Sequence, residues 1–150
     1  MSRLCLVTGA TGNVGGRLVP RLLDAGFRVR VLVRHPDRVR DVPWAGQVEV
    51  AVGDGGDPAA ISAALDGVDV AYYLLHAIQQ GSALESEEAR VARTFAEAAR
   101  AQHVGRIVYL GGLAPETSAD KMSRHMRSRS QVGDILRSSG VPTCELRAAV

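Results

Sequence analysis

Leu4-Cys5-Leu6-Val7-Thr8-Gly9-Ala10-Thr11-Gly12-Asn13-Val14-Gly15-Gly16 carries a short apolar run straight into glycines at positions 9, 12 and 15. Each of the three has a distinct physical task. Gly9 permits a sharp turn off a strand, where a Cβ would clash. Gly12 lets the backbone approach a pyrophosphate, and Gly15 lets the following helix pack closely on the strand. A helix beginning near Gly12 aims free N–H groups and its positive dipole end at phosphate. The context agrees on both sides. Residues 3–8 read as a buried strand, and Val14, Leu18, Leu22 and Leu23 recur at helical spacing. Gly26 stops that helix, and Phe27 to Val33 alternates apolar residues with arginine like a second strand. Strand, glycine turn, helix and strand fall within about 30 residues, as a dinucleotide-binding βαβ unit requires.

Outward from this unit, strands and helices alternate. The pattern predicts strands over 3–8, 28–33, 48–52, 69–75, 106–110 and 143–148, and helices over 13–25, 58–65, 83–102 and 121–139. The 83–102 helix carries Leu84, Val91, Phe95 and Ala98 on one stripe. Gly67, Gly105 and Gly140 each precede a strand, as glycines near helix C-termini do. The expected fold class is α/β, a Rossmann-type doubly wound parallel sheet of strand order 3-2-1-4-5-6 with helices on both faces. The ligand crevice then lies at the carboxyl ends of strands one and four, where the order reverses.

The run from Thr8 to Gly16 resembles the short-chain dehydrogenase/reductase superfamily, most nearly its extended and atypical branches, which include NAD(P)H-binding NmrA-like proteins and relatives of a complex I accessory subunit. The resemblance covers essentially the whole chain. It includes Val29 to Arg34, Val52 to Asp54, Val68 to Leu74, Arg106 to Gly112 and Glu145 to Arg147. Members of the superfamily usually run well past 200 residues, and their later part closes the substrate pocket. With 150 residues, this chain is either a minimal protein or, the favoured expectation, the cofactor-binding domain of a longer one whose substrate lobe lies outside residues 1–150.

Composition sets further bounds. An apolar content of 46% is ample for one core. The net charge of +2 is too balanced to argue for a nucleic-acid partner. No run is apolar and long enough to span a bilayer, and no signal-peptide pattern opens the chain. Cys5 and Cys144 lie in apolar, strand-like segments and read as buried thiols of a reducing cytoplasm.

The end of the second strand distinguishes NAD from NADP. An NAD site places a carboxylate there to accept from the ribose 2′-hydroxyl. This chain has Arg34, then His35 and Arg38. A guanidinium grips a 2′-phosphate that a carboxylate would repel, so NADP(H) is expected over NAD(H). The bland alternative is that Arg34 and Arg38 are ordinary solvated charges. Thr11 and Asn13 either contact phosphate or ribose or cap the helix. With Gly9, Gly12, Val14 and Gly15 they complete the cofactor loop. Asp54 and Gly55 follow the third strand, and the resemblance implies a place beside the adenine amino group. A turn residue is the alternative at Asp54, although Asp57 suits the helix cap better. Leu74, Leu75 and His76 end the fourth strand beneath the expected cofactor.

The resemblance also implies a Ser, Tyr and Lys catalytic set, from which this chain departs. Gly111 and Gly112 stand where Ser is common, and His125 and Arg129 stand where Tyr and Lys would lie. The only lysine is Lys121. His125 and Arg129 are i,i+4 neighbours on a face shared with Val132 and Leu136. His125 suits a general acid near neutral pH, and Arg129 suits a ribose or nicotinamide contact but not a proton relay. Two readings stay open: an atypical NADP-dependent oxidoreductase acting on a small molecule, and a non-catalytic NAD(P)H-binding sensor or scaffold. The basic run from Lys121 to Arg137 lacks the interleaved aromatics of a nucleic-acid binder. The substrate and oligomeric state stay open, though the resemblance implies that the 83–102 helix is of the kind used for homodimer packing.

Overall fold

The structure is a computed structural model that describes residues 2–75, 83–112 and 124–148, without the side chains of residues 83–86 and 124–125. Strands β1 (Leu4–Thr8), β2 (Arg28–Val33), β3 (Glu49–Val52), β4 (Val70–Tyr73), β5 (Arg106–Gly112) and β6 (Thr143–Ala148) form one sheet. Its order is β3-β2-β1-β4-β5-β6, and every pairing is parallel. Helices α1 (Asn13–Asp24), α2 (Pro58–Leu65), α3 (Ala83–Ala101) and α4 (Arg124–Arg137) make the crossovers. Both the expected strand order and the reversal between β1 and β4 are present.

Local chemistry fixes the element ends. Helix α1 closes through Gly26, whose φ of +88° lets its N–H reach the Leu23 carbonyl and the Phe27 N–H reach that of Leu22. Asp57 caps α2, its carboxylate accepting from the Ala59 N–H at 3.1 Å, with Pro58 in the first helical position. The other end of α2 is held from the sheet. Arg30 donates to the carbonyls of Ala64 at 2.8 Å and Asp66 at 2.7 Å while also pairing with Glu49.

Several expectations need correction. Strand β4 ends at Tyr73, so Leu74 and Leu75 follow it instead of completing it. At the end of α3 the left-handed position belongs to His103, with φ of +56°. Gly105 serves close approach there, since a Cβ would sit 3.0 Å from the Asp69 carbonyl. Val14 is not on the buried face of α1: it is 48% exposed, while Gly15, Val19 and Leu22 turn inward. The buried stripe of α3 is Ala89, Ala92, Phe95, Ala96 and Ala99, with Val91 and Ala98 at its margin. The side chain of Leu84 lies outside the described residues. Two short 3-10 turns, Pro36–Val39 and Ala45–Gln47, occupy the β2–β3 connection, which buries Val39 and Trp44 against the α1 side.

Coverage of the sheet is uneven. Helices α2, α3 and α4 share one face, where Ile61, Phe95 and Leu136 are fully buried with Leu6 and Ile107. On the other face, α1 and the 36–47 segment cover Cys5, Val7, Val29 and Val31. Beyond β1 that second face thins among the described residues. Tyr72, Val108, Leu110 and Cys144 are half-buried and Leu146 is exposed. Cys144 is therefore not the buried thiol expected. Cys5 is, and burial, followed by the nearby Asp69 charge, pushes its thiol up to about 11.

One buried hydroxyl ties the centre together. Thr8, fully buried, donates to the Tyr72 carbonyl at 2.8 Å and accepts from the Leu74 N–H at 2.9 Å. This bond continues the β1–β4 ladder past its last paired residues. A Thr8→Val variant keeps the shape and removes both bonds. It is expected to lose about 1–3 kcal/mol in chemical denaturation, with Thr8→Ser retaining most of the stability; an unchanged midpoint for Thr8→Val would refute this role.

Candidate functional site

The carboxyl ends of β1, β2, β4 and β5 surround the crevice. At its floor the chain leaves β1 through Gly9, with φ of +67°. A Cβ there would lie 2.6 Å from the Leu74 carbonyl oxygen, so the turn is pressed against the end of β4. Gly15 is tighter still, because a Cβ would lie 2.2 Å from the Gly9 carbonyl oxygen and 2.8 Å from the Ala10 Cα. Any side chain at Gly15 would push α1 off β1. Gly12 differs: its Cβ would meet only the Gly9 carbonyl, at 3.3 Å, and its φ of −78° suits any residue. A methyl at Gly12 would thus be tolerated after a small shift, while the bare glycine leaves its crevice side clear for a group approaching the amides.

Gly12 is also the N-cap of α1 and supplies no side-chain cap. The N–H groups of Asn13, Val14 and Gly15 then have no acceptor within the helix, whereas the Gly16 N–H reaches the Gly12 carbonyl at 2.9 Å. No acidic residue lies in this first turn. The uncapped amides and the dipole thus present a positive, glycine-walled cradle that fits a diphosphate. Asn13 occupies the first helical position, and neither it nor Thr11 caps the helix; both are exposed.

Arg34 directly follows β2, and Arg38 lies on the adjoining 3-10 turn. Both are exposed, and neither guanidinium forms an ion pair among the described residues. Their neighbour Arg40 pairs with Asp37 instead. Asp54 shapes its own turn, its Oδ1 accepting from the Gly56 N–H at 2.8 Å. Gly55 faces the end of β4, where a Cβ would come within 2.8 Å of Leu75 Cδ1. The fold therefore brings together the glycine turn and Leu74, and Gly55 and Leu75. His76 lies outside the described residues.

On the far side, Arg129 of α4 runs over Gly112 at the end of β5. A Cβ on Gly112 would be 3.5 Å from Arg129 Nη1 and 3.6 Å from its Cδ. Two contacts hold this turn of α4: the Tyr109 hydroxyl donates to the Arg129 carbonyl at 3.1 Å, and Ser128 bonds the Glu88 carboxylate of α3. Val132 and Leu136 point into the core as expected. The backbone of His125 belongs to α4, but its side chain lies outside the described residues. Both buried phenols here stay protonated near neutrality. Burial pushes Tyr109 up to about 12 and raises Tyr73 further.

Sequence reasoning passed over Thr8, the Ser128–Glu88 pair and Arg90, which reaches the Asp54 loop from α3. A hydroxyl closing an apolar strand was a signal for Thr8. The other contacts join residues 34 and 40 positions apart and carry no local signature.

No helix among the described residues is long and apolar enough to cross a membrane. A protein family described as NAD(P)H-binding matches residues 9–148. The chain is 38% identical over 139 residues to a (4-alkanoyl-5-oxo-2,5-dihydrofuran-3-yl)methyl phosphate reductase of Streptomyces griseus, covering 93% of this chain and 45% of that protein. It is 33% identical over 137 residues to a ceramide reductase of Caulobacter vibrioides, covering 89% and 41%. The chain thus spans less than half the length of these relatives. Among solved structures, the triphenylmethane reductase of Citrobacter sp. complexed with NADP(H) superposes with a TM-score of 0.80 at 26% identity, over 100% of this chain and 50% of that one. An NADPH-dependent quinone oxidoreductase of Escherichia coli, complexed with NADPH, gives 0.76 at 27% identity, over 95% and 48%. The sheet order, the glycine cradle and these likenesses agree: the chain belongs to the NAD(P)H-binding family.

Proposed function

We propose that residues 1–150 make up the cofactor domain of an oxidoreductase that prefers NADP(H) to NAD(H) and reduces a small molecule. The observation that carries this reading is the pair of guanidinium groups, Arg34 and Arg38, at the carboxyl end of β2, which form no ion pair among the described residues. An NAD site would place a carboxylate there. A 2′-phosphate between two arginines gains charge-assisted, bidentate hydrogen bonds that a 2′-hydroxyl cannot match. The NADP(H) and NADPH named for two structural relatives support the same choice.

The other site residues divide by task. Gly9, Gly12 and Gly15 shape the cradle; the amides of Asn13 and Val14 donate to the diphosphate, with Thr11 at its edge. Val14, exposed on the first turn of α1, covers the nucleotide from the helix side. Asp54 and Gly55 border the adenine, while Leu74 and Leu75 lie beneath the cofactor. Arg129 holds the ribose or nicotinamide end from α4, and His125, one turn earlier, is the proton donor. When bound, the dinucleotide supplies the hydride, and the protein's part is orientation, charge and the proton.

The second reading, cofactor binding without turnover, draws on the two buried phenols and on Gly111 and Gly112 at the expected Ser position. Assay with quinone and carbonyl acceptors separates the two. Turnover with NADPH is expected, and His125→Ala should lower it by roughly 10²–10⁴; full turnover in that variant removes His125 as the acid, and binding without any turnover favours the sensor.

Two variants test binding itself by NADPH fluorescence titration. Gly12→Ala should fold with a midpoint close to the parent's yet lose at least about tenfold in affinity, because its methyl fills the approach to the amides. Undiminished binding would disprove the cradle. Arg34→Glu should invert the preference toward NADH, by about 1–3 kcal/mol against the 2′-phosphate; an unchanged ratio of NADPH to NADH affinity would dispose of the arginine argument.

A further inference from the structure

Arg90 sits on the exposed side of α3, 34 residues beyond the loop it touches. Its Nη1 donates to the Gly56 carbonyl at 3.1 Å. Its Nε and Nη2 donate to the two Glu87 oxygens, at 3.0 Å and 2.6 Å, which fixes the fork's direction. The Gly56 N–H is meanwhile held by Asp54 Oδ1 at 2.8 Å. Both polar groups of Gly56 are thus engaged, one from within the turn and one from α3. A side chain at Gly56 would displace the Arg90 head, since a Cβ would lie 2.7 Å from its Nη2. On its other flank the turn rests against Leu75.

We propose that Arg90 is a positioning residue that latches the Asp54–Gly56 turn to α3 so that Asp54 and Gly55 read the amino edge of the adenine. This rests on the dinucleotide reading above and extends it to a residue remote from the cradle. Stability alone is a poor reason for the latch. Holding a long, half-exposed arginine in one geometry opposes its rotamer freedom, and exposed ion pairs contribute little. A fixed turn has a use at a ligand edge: Asp54 Oδ1 is tied to Gly56, and Oδ2, with no hydrogen bond among the described residues, is left to accept from an exocyclic amine.

The test compares NADPH with its deamino analogue, in which hypoxanthine replaces adenine and a carbonyl replaces the 6-amino group. Wild type should favour NADPH by about tenfold, the scale of one hydrogen bond to a charged acceptor. Arg90→Ala should weaken NADPH about fivefold, leave the analogue nearly unchanged and shrink that ratio to about twofold; Arg90→Lys, which still reaches one carbonyl, should recover part of it. In an Asp54→Ala background, Arg90→Ala should add nothing further. Equal wild-type affinity for both dinucleotides, or an equal loss for both in Arg90→Ala, overturns the latch and leaves the binding reading standing. Failure of wild type to bind either one overturns both.

Discussion

The fold turns on one close crossing. Where β1 ends, the Gly9 backbone lies against the Leu74 carbonyl, and α1 comes down so near that Gly15 has no room for a methyl. Thr8 locks the crossing by bonding the chain on either side of Tyr73. A buried hydroxyl that both donates and accepts at good distance stabilises the sheet and leaves no unsatisfied amide in its place. Once β1, β4 and α1 are fixed in this way, the uncapped N-terminus of the helix has a single direction in which to point.

The charges follow from that geometry. Among the described side chains around the crevice, cations stand at the end of β2 and on α4, and the first turn of α1 carries no acid. Asp54 is the carboxylate of the β3 loop that reaches the rim, and it is bound into its own turn. Uncapped amides at the centre, a carboxylate turn at one margin and a guanidinium at the other suit a long ligand that carries a diphosphate and lies across the switch between β1 and β4.

The sheet order and the cradle were legible in the sequence because they depend on local facts: glycine spacing, a stop at Gly26, alternation through Val33. Contacts across the chain were not. Arg30 reads as the polar half of an alternating strand, yet its head caps α2. Val14 fits a helical stripe by spacing, yet the closeness of α1 to β1 admits only Gly15 at that level and turns Val14 outward. The 3-10 turns between β2 and β3 follow no periodicity, and their inward residues, Val39 and Trp44, are placed by tertiary burial. At the site, Arg34 was visible because it follows a strand end directly. The positions of Arg129 over Gly112 and of Arg90 at Gly56 required the helices to be set down first.

The Thr8 bridge has a consequence for how such a chain can change. The phosphate bend is not a movable part that could be lifted onto another strand with its glycines alone. Its shape is borrowed from the neighbouring strand, whose carbonyl forms one of its walls. Drift at Tyr72 or Leu74, more than 60 residues along the chain from the bend, is therefore felt there, and the two segments are bound to change as one piece.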